Sequence, residues 1–253
     1  MRAESLRFNQ VHRRRKRDLV ELALGYALVL AAVWSPRPWA QIFFLLGLLW
    51  VGFDTLISGS SARELGLTFK TVSRDYWVIG VAAAMAVGAA FVSQRYDALH
   101  LPFSSTTPQL HAGGYIVWAL IQQFLLQDYF LARLLRLLPS KPAAVLTAAA
   151  LFASAHIPNP LLTIATLVWG IVACTLFLRY RDLYTLGVAH AILGLCIAFT
   201  VPNAVHHNMR VGLGYLRYHA EVVQRSHNNQ MVSTSECVMA DANSRCSDRH
   251  ARP

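Results

Sequence analysis

Long apolar runs, each close to the length that crosses a lipid bilayer, constrain this chain more than any other feature. Windows of about 20 apolar residues occur over residues 19–35, 39–58, 76–94, 113–135, 142–157, 160–178 and 183–201. Of the 253 residues, 55% are apolar and 14% are charged, whereas soluble domains carry about 25% charged residues. This composition excludes an ordinary water-soluble domain and a charge-rich disordered chain. We therefore predict an all-α fold, a polytopic membrane helix bundle of about seven transmembrane helices.

Basic residues lie at alternating ends of these runs. With the N-terminus inside, the inner segments hold 7, 3, 3 and 2 Lys and Arg, and the outer loops hold 1, 1 and 0. Because cytoplasmic loops carry the excess of Lys and Arg, this asymmetry predicts a multi-pass protein with its N-terminus inside, in a bacterial cytoplasmic membrane. The formal net charge of +10 is then explained by the membrane topology, and we expect no nucleic-acid partner.

Four regions follow from this pattern. They are a basic cytoplasmic N-terminus at 1–18, N-terminal transmembrane helices and loops at 19–112, a membrane domain at 113–205, and a polar, largely disordered tail at 206–253. Seven spans place the tail outside, although it is basic; alternatively, residues 209–224 return to the membrane surface as an interfacial helix. The sequence leaves this choice open.

Polar side chains at membrane depth are costly and therefore mark candidate sites. The later runs contain Gln122, Gln123 and Gln127 in the fourth, His156 at the end of the fifth and His190 in the seventh. A rise of 1.5 Å per residue puts Gln122, His156 and His190 within about 10 Å of one another in depth across a core of about 30 Å. These residues can therefore line one cavity, although buried glutamines can also simply join helices and a lone histidine can be a packing residue.

Helical geometry separates the polar groups of the fourth run. At about 100° per residue, Gln123 and Gln127 lie about 40° apart on one face. Asp128 lies about 140° from Gln123, so this carboxylate is expected to point elsewhere.

Three segments carry a family resemblance. Gln122-Gln123-Phe-Leu-Leu-Gln127, Phe152-Ala-Ser-Ala-His156 and His190-Ala-Ile-Leu-Gly194 resemble the Glu-Glu-x-x-x-Arg, Phe-x-x-x-His and His-x-x-x-Asn motifs of the CPBP intramembrane proteases. That family includes the CAAX prenyl endopeptidases and bacteriocin-processing and immunity proteins. The resemblance implies that Gln122, Gln123, His156 and His190 occupy catalytic positions, with Gln127 and Phe152 in substrate-binding ones. It also implies a hydrophobic or lipidated peptide or protein substrate and contact with membrane lipid, with no cofactor.

The chain departs from the family motifs at four positions. Gln122 and Gln123 replace both glutamates, Gln127 replaces the arginine, and Gly194 replaces the asparagine. A carboxamide positions water but has no basicity comparable to a carboxylate, so a general base would have to be His156 or His190. The sequence therefore leaves two hypotheses, a peptidase with altered chemistry or a catalytically silent pseudoprotease that acts as a membrane binding or scaffold protein.

Other functions have weaker support in the sequence. A metal site built on His156 and His190 lacks a third ligand, unless His206, His207 or Asp128 supplies it. Asp54 is most simply a snorkelling or helix-joining group, although it could supply the missing carboxylate if the second span packs on the fourth. A transporter is disfavoured because no internal repeat is visible. The oligomeric state is left open.

Overall fold

The computed structural model describes residues 2–68, 75–96, 99, 108–221 and 223–224. Every regular element in this part of the chain is helical, which confirms the all-α prediction. In chain order the helices are α1 Arg2–Trp34, α2 Trp39–Ser58, α3 Tyr76–Arg95, α4 Pro108–Phe124, α5 Ala132–Leu137, α6 Lys141–Ser154, α7 Pro160–Tyr180, α8 Leu183–Thr200 and α9 Asn203–His206. A π-helical segment, Leu125–Leu131, joins α4 to α5, and a 3-10 turn, His207–Met209, follows α9.

Four of the described helices, α2, α3, α7 and α8, are long and apolar enough to cross a membrane. They coincide with the second, third, sixth and seventh predicted runs, and they confirm a membrane helix bundle. The other three runs are helical but have different forms. The first run is the apolar half of α1, the fourth is interrupted by the π-helical segment, and the fifth is α6, which has only 14 residues.

Polar side chains cap the N-termini of α6, α7 and α8; α6 and α8 contain residues of the later motifs. Ser140 caps α6, Asn159 caps α7 and Asp182 caps α8, each by accepting a hydrogen bond from a backbone N–H in the first turn. Proline at the first turn of α6 and α7 is compatible with a helix start because those N–H groups have no intrahelical partner. Between α6 and α7, small residues allow close packing: a Cβ at Gly170 would lie 3.1 Å from Ala149.

A buried arginine connects α1 and α2 to the rest of the bundle. Arg133 of α5 is 4% exposed and pairs with Glu21 of α1, at 3.2 Å, and with Asp54 of α2. Its guanidinium lies 3.7 Å from the centre of the Tyr129 ring. Asp54 is therefore a helix-joining group, which was the simpler of its two interpretations.

Tyr129, whose ring lies against the Arg133 guanidinium, also connects α1 and α2 to the bundle. The Tyr129 hydroxyl donates to the backbone carbonyl of Glu21 at 2.5 Å and accepts a hydrogen bond from Trp50 Nε1 at 2.7 Å. Tyr129 lies in the π-helical segment. One side chain of that segment thus bonds to α1 and α2 at once.

Part of the predicted polar tail is described. Residues 212–221 form a helix, which is the feature that the interfacial-helix alternative predicts. Residue 222 and residues 225–253 of the predicted tail lie outside the described part of the chain.

We expect Arg133→Ala to lower the free energy of unfolding by about 3–5 kcal/mol, because it leaves two carboxylates in a mostly buried position without their cation. Thermal unfolding in detergent measures this change. Arg17→Ala is the matched control, since Arg17 also pairs with Glu21, at 3.4 Å, but its side chain is 70% exposed; we expect a loss below about 1 kcal/mol. Equal losses in the two variants would contradict a structural role for the buried pair.

Candidate functional site

Three of the predicted site residues form one chain of buried hydrogen bonds. Gln127 Nε2 donates to Gln123 Oε1 at 3.2 Å, and Gln123 Nε2 donates to His190 Nδ1 at 3.1 Å. Their exposed fractions are 1%, 0% and 7%, respectively. With the amides in this orientation, the His190 proton is on Nε2. The chain links α4 and its π-helical continuation to α8 without any charged group.

The two histidines pack against the same phenylalanine. The Phe152 ring centre is 5.0 Å from the His156 ring centre and 5.8 Å from that of His190, and both pairs are close to perpendicular. His156 Nδ1 donates to the Phe152 carbonyl oxygen at 2.8 Å. This bond fixes the tautomer, because a carbonyl only accepts; the His156 Nε2 atom therefore carries the lone pair.

A cavity of about 140 Å³ lies next to His156. Apolar side chains from α1, α2, α4 and α6 form most of its wall, and Gln122 and His156 contribute an amide and an imidazole. The sequence predicts a cavity between the fourth, fifth and seventh spans. In the structure, α1 and α2 take the place of the seventh span around this cavity, because His190 of α8 faces Gln123 and Phe152 instead.

Neighbouring glutamines of the first motif have different surroundings. Gln123 points to α8 and is fully buried, whereas Gln122 is half-buried and lines the cavity. No hydrogen bond of Gln122 is present among the described residues. The Gln122 amide can therefore form hydrogen bonds with a molecule in the cavity, whereas the Gln123 amide is already hydrogen-bonded to His190.

Gly194, at the motif's asparagine position, has no room for a side chain. A Cβ there would lie 2.7 Å from the Tyr115 Cζ atom, so the ring of Tyr115 on α4 occupies that space. Sequence reasoning missed Tyr115. The available signal was its spacing, because Tyr115 precedes Gln122 by seven residues and so lies on the same face of α4 two turns away.

The two nearest carboxylates lie outside this arrangement. Asp54 is paired with Arg133, and Asp128 interacts electrostatically with Arg181. Among the described residues, no three His, Cys, Asp or Glu side chains are grouped closely enough to hold a metal ion.

Comparison with known proteins supports the resemblance that the motifs suggest. Residues 104–196 match the family model of type II CAAX prenyl endopeptidase Rce1-like proteins. This segment contains both histidines and the three glutamines. Neither the curated proteins nor the solved structures include a match to this chain. The family match and the four apolar helices together indicate a membrane protein similar to the CAAX proteases.

We expect Gln123→Leu to lower the free energy of unfolding by about 1–3 kcal/mol, because the His190 and Gln127 polar atoms lose their buried partner. Gln122→Leu is the matched control, since it changes the adjacent residue without breaking a hydrogen bond, and we expect a smaller loss. Thermal unfolding of both variants in detergent compares them. A larger loss for Gln122→Leu would contradict the hydrogen-bond chain.

Proposed function

We propose that this protein is a membrane-embedded, peptidase-like protein of the CAAX endopeptidase type that binds a hydrophobic or lipid-modified peptide in the cavity beside His156. The observation that carries the proposal is the position of that cavity. Its wall includes Gln122 and His156, two residues of the segment that matches the family model. An apolar cavity with a few polar groups at one place is the usual form of a small-ligand site.

The size of the cavity limits what enters it. A protein cavity of about 150 Å³ holds a molecule as large as benzene, and this one measures about 140 Å³. It therefore accepts one apolar side chain or part of a lipid chain, while the peptide backbone stays near Gln122 and His156. Membrane lipid is the second partner, since α2 exposes large apolar residues such as Leu45, Leu49 and Leu56.

We expect Gly47→Leu to weaken peptide binding at least tenfold. Gly47 lines the cavity, and a Cβ there meets Leu28 only at an ordinary 3.8 Å, so the added leucine fits the fold and fills the cavity. Fluorescence titration with a dye-labelled farnesylated peptide measures the affinity. Gly52→Leu is the matched control, because Gly52 is on the same helix in open space. Unchanged affinity in Gly47→Leu would place the ligand elsewhere.

Hydrolysis of the bound peptide is a second candidate, favoured by the lone pair on His156 Nε2. A water between His156 and Gln122 would attack the peptide carbonyl carbon as His156 takes its proton, and the resulting imidazolium would protonate the leaving amine. The Gln122 amide would donate to the carbonyl oxygen as negative charge develops there.

The surroundings of His156 favour binding over efficient hydrolysis. An imidazolium in an apolar cavity is costly without a paired anion. Asp54 is paired with Arg133, and neither Asp54 nor Asp128 lines the cavity. The amides at 122, 123 and 127 give the site no anion of its own. These features support the pseudoprotease hypothesis, in which the site has kept its peptide cavity without its acid–base machinery.

Restoring the motif separates these two candidates. We expect the unmodified protein and His156→Ala to release product at the same background rate from a farnesylated peptide, and the triple variant Gln122→Glu, Gln123→Glu, Gln127→Arg to cleave it faster. Mass spectrometry of the peptide products provides the measurement, and His219→Ala is the control for replacing a histidine, because His219 is exposed on the helix over residues 212–221 and does not line the cavity. Cleavage by the unmodified protein that falls about 10²-fold or more only in His156→Ala would establish hydrolysis and refute the silent site.

A further inference from the structure

We infer that residues 203–212, here named the strap, close one side of this cavity by holding Val211 in its wall, and that Val211 sets the size of the apolar group that fits. The inference rests on the proposed function, since it specifies which ligands that site accepts. Val211 is a cavity-lining residue together with His156. No motif of the sequence includes it.

The strap is fastened to the turn that carries His156. Asn159, which is fully buried, donates from Nδ2 to the backbone carbonyls of His206 at 2.8 Å and Arg210 at 3.1 Å. Its Oδ1 atom accepts from the backbone N–H of Leu162 and so caps α7. One side chain thus fixes both the start of a helix and the path of the strap.

A second attachment follows immediately after Val211. The backbone N–H of Gly212 donates to the Ile157 carbonyl at 3.0 Å. A Cβ at Gly212 would lie 3.0 Å from the backbone carbonyl carbon of Val33, so the strap also lies directly against α1. Val211 is therefore held between two anchored residues, which leaves its side chain little freedom to move away from the cavity.

The backbone of the strap is strained at the three residues that precede Arg210 and Val211. His207, Asn208 and Met209 have φ values of 51°, 53° and 56°, in the left-handed region that non-glycine residues seldom adopt. Such a conformation persists only when surrounding contacts hold it, and it is common at ligand clamps. Here the contacts are the Asn159 bonds and a hydrogen bond from the Met209 N–H to His206 Nδ1 at 3.1 Å.

Changing the volume of Val211 tests its role in selectivity. The probes are dye-labelled peptides that carry apolar groups of increasing length. We expect Val211→Phe to weaken binding of the peptide preferred by the unmodified protein at least tenfold, and Val211→Ala to shift the preference to a longer group. Leu216→Phe and Leu216→Ala are the controls, because Leu216 is half-exposed on the following helix and does not line the cavity. The same preference in all variants would overturn the inference.

Cysteine labelling tests the strap without a peptide ligand. Ala32 lines the cavity, so Ala32→Cys in a background without the four native cysteines reports access for a membrane-permeant maleimide. We expect Asn159→Ser, which keeps a capping oxygen but loses the two bonds to the strap, to raise the labelling rate at least fivefold. Asp182→Ser is the control, since Asp182 caps α8 and forms its side-chain hydrogen bonds with Thr185.

The two experiments separate failure of the strap from failure of the proposed function. An unchanged labelling rate in Asn159→Ser, or an equal rise in Asp182→Ser, would overturn the strap as a wall held by Asn159. If the unmodified protein binds none of the peptides but Asn159→Ser alone increases labelling, the proposed ligand is wrong and the strap stands as the wall of the cavity.

Discussion

The cavity exists because Arg133 holds α1 and α2 against the π-helical segment. Helices in a membrane gain little from burying apolar side chains against one another, since lipid is equally apolar, so polar contacts and close packing decide how they associate. Arg133 supplies such a contact by pairing with Glu21 of α1 and Asp54 of α2. Tyr129 adds bonds to the Glu21 carbonyl and to Trp50. Because α1 and α2 form much of the cavity wall, this charged cluster determines the shape of a site that itself contains no paired charge.

The continuous helix formed by α4, the π-helical segment and α5 carries two groups of buried polar side chains, one neutral and one charged. Gln123 and Gln127 face His190, where the hydrogen-bond chain is neutral, whereas Arg133 faces two carboxylates. An arginine at position 127 would lie in a 1% exposed position beside amides instead of anions, which is costly. The glutamine at 127 is therefore physically consistent with glutamines at 122 and 123. Gln127 itself lies in the π-helical segment, which ends two residues before Arg133; π geometry is rare overall and frequent at functional sites.

The sequence predicted the parts of the structure that depend on local periodicity. Apolar runs located the helices, and a spacing of four residues put Gln123 and Gln127 on one face, in agreement with the hydrogen bond between them. Similar membrane depth predicted that His156 and His190 can line one site, and both rings lie against Phe152. The π-helical segment was not predicted because seven apolar-rich residues have the same composition in either helical form. The roles of α1, α2 and Val211 depend on contacts between distant parts of the chain, which no local pattern encodes.

The turn after α6 connects the strap to the histidine of the second motif. His156 bonds backward to the Phe152 carbonyl, while Ile157 and Asn159, one and three residues later, bond to the strap. A ligand that displaces Val211 must therefore pull on the backbone that positions the His156 ring. Phe152 adds a second constraint, because its ring packs against both His156 and His190. Val211, which lines the cavity, and His156 are thus held by hydrogen bonds within one short turn, residues 156–159.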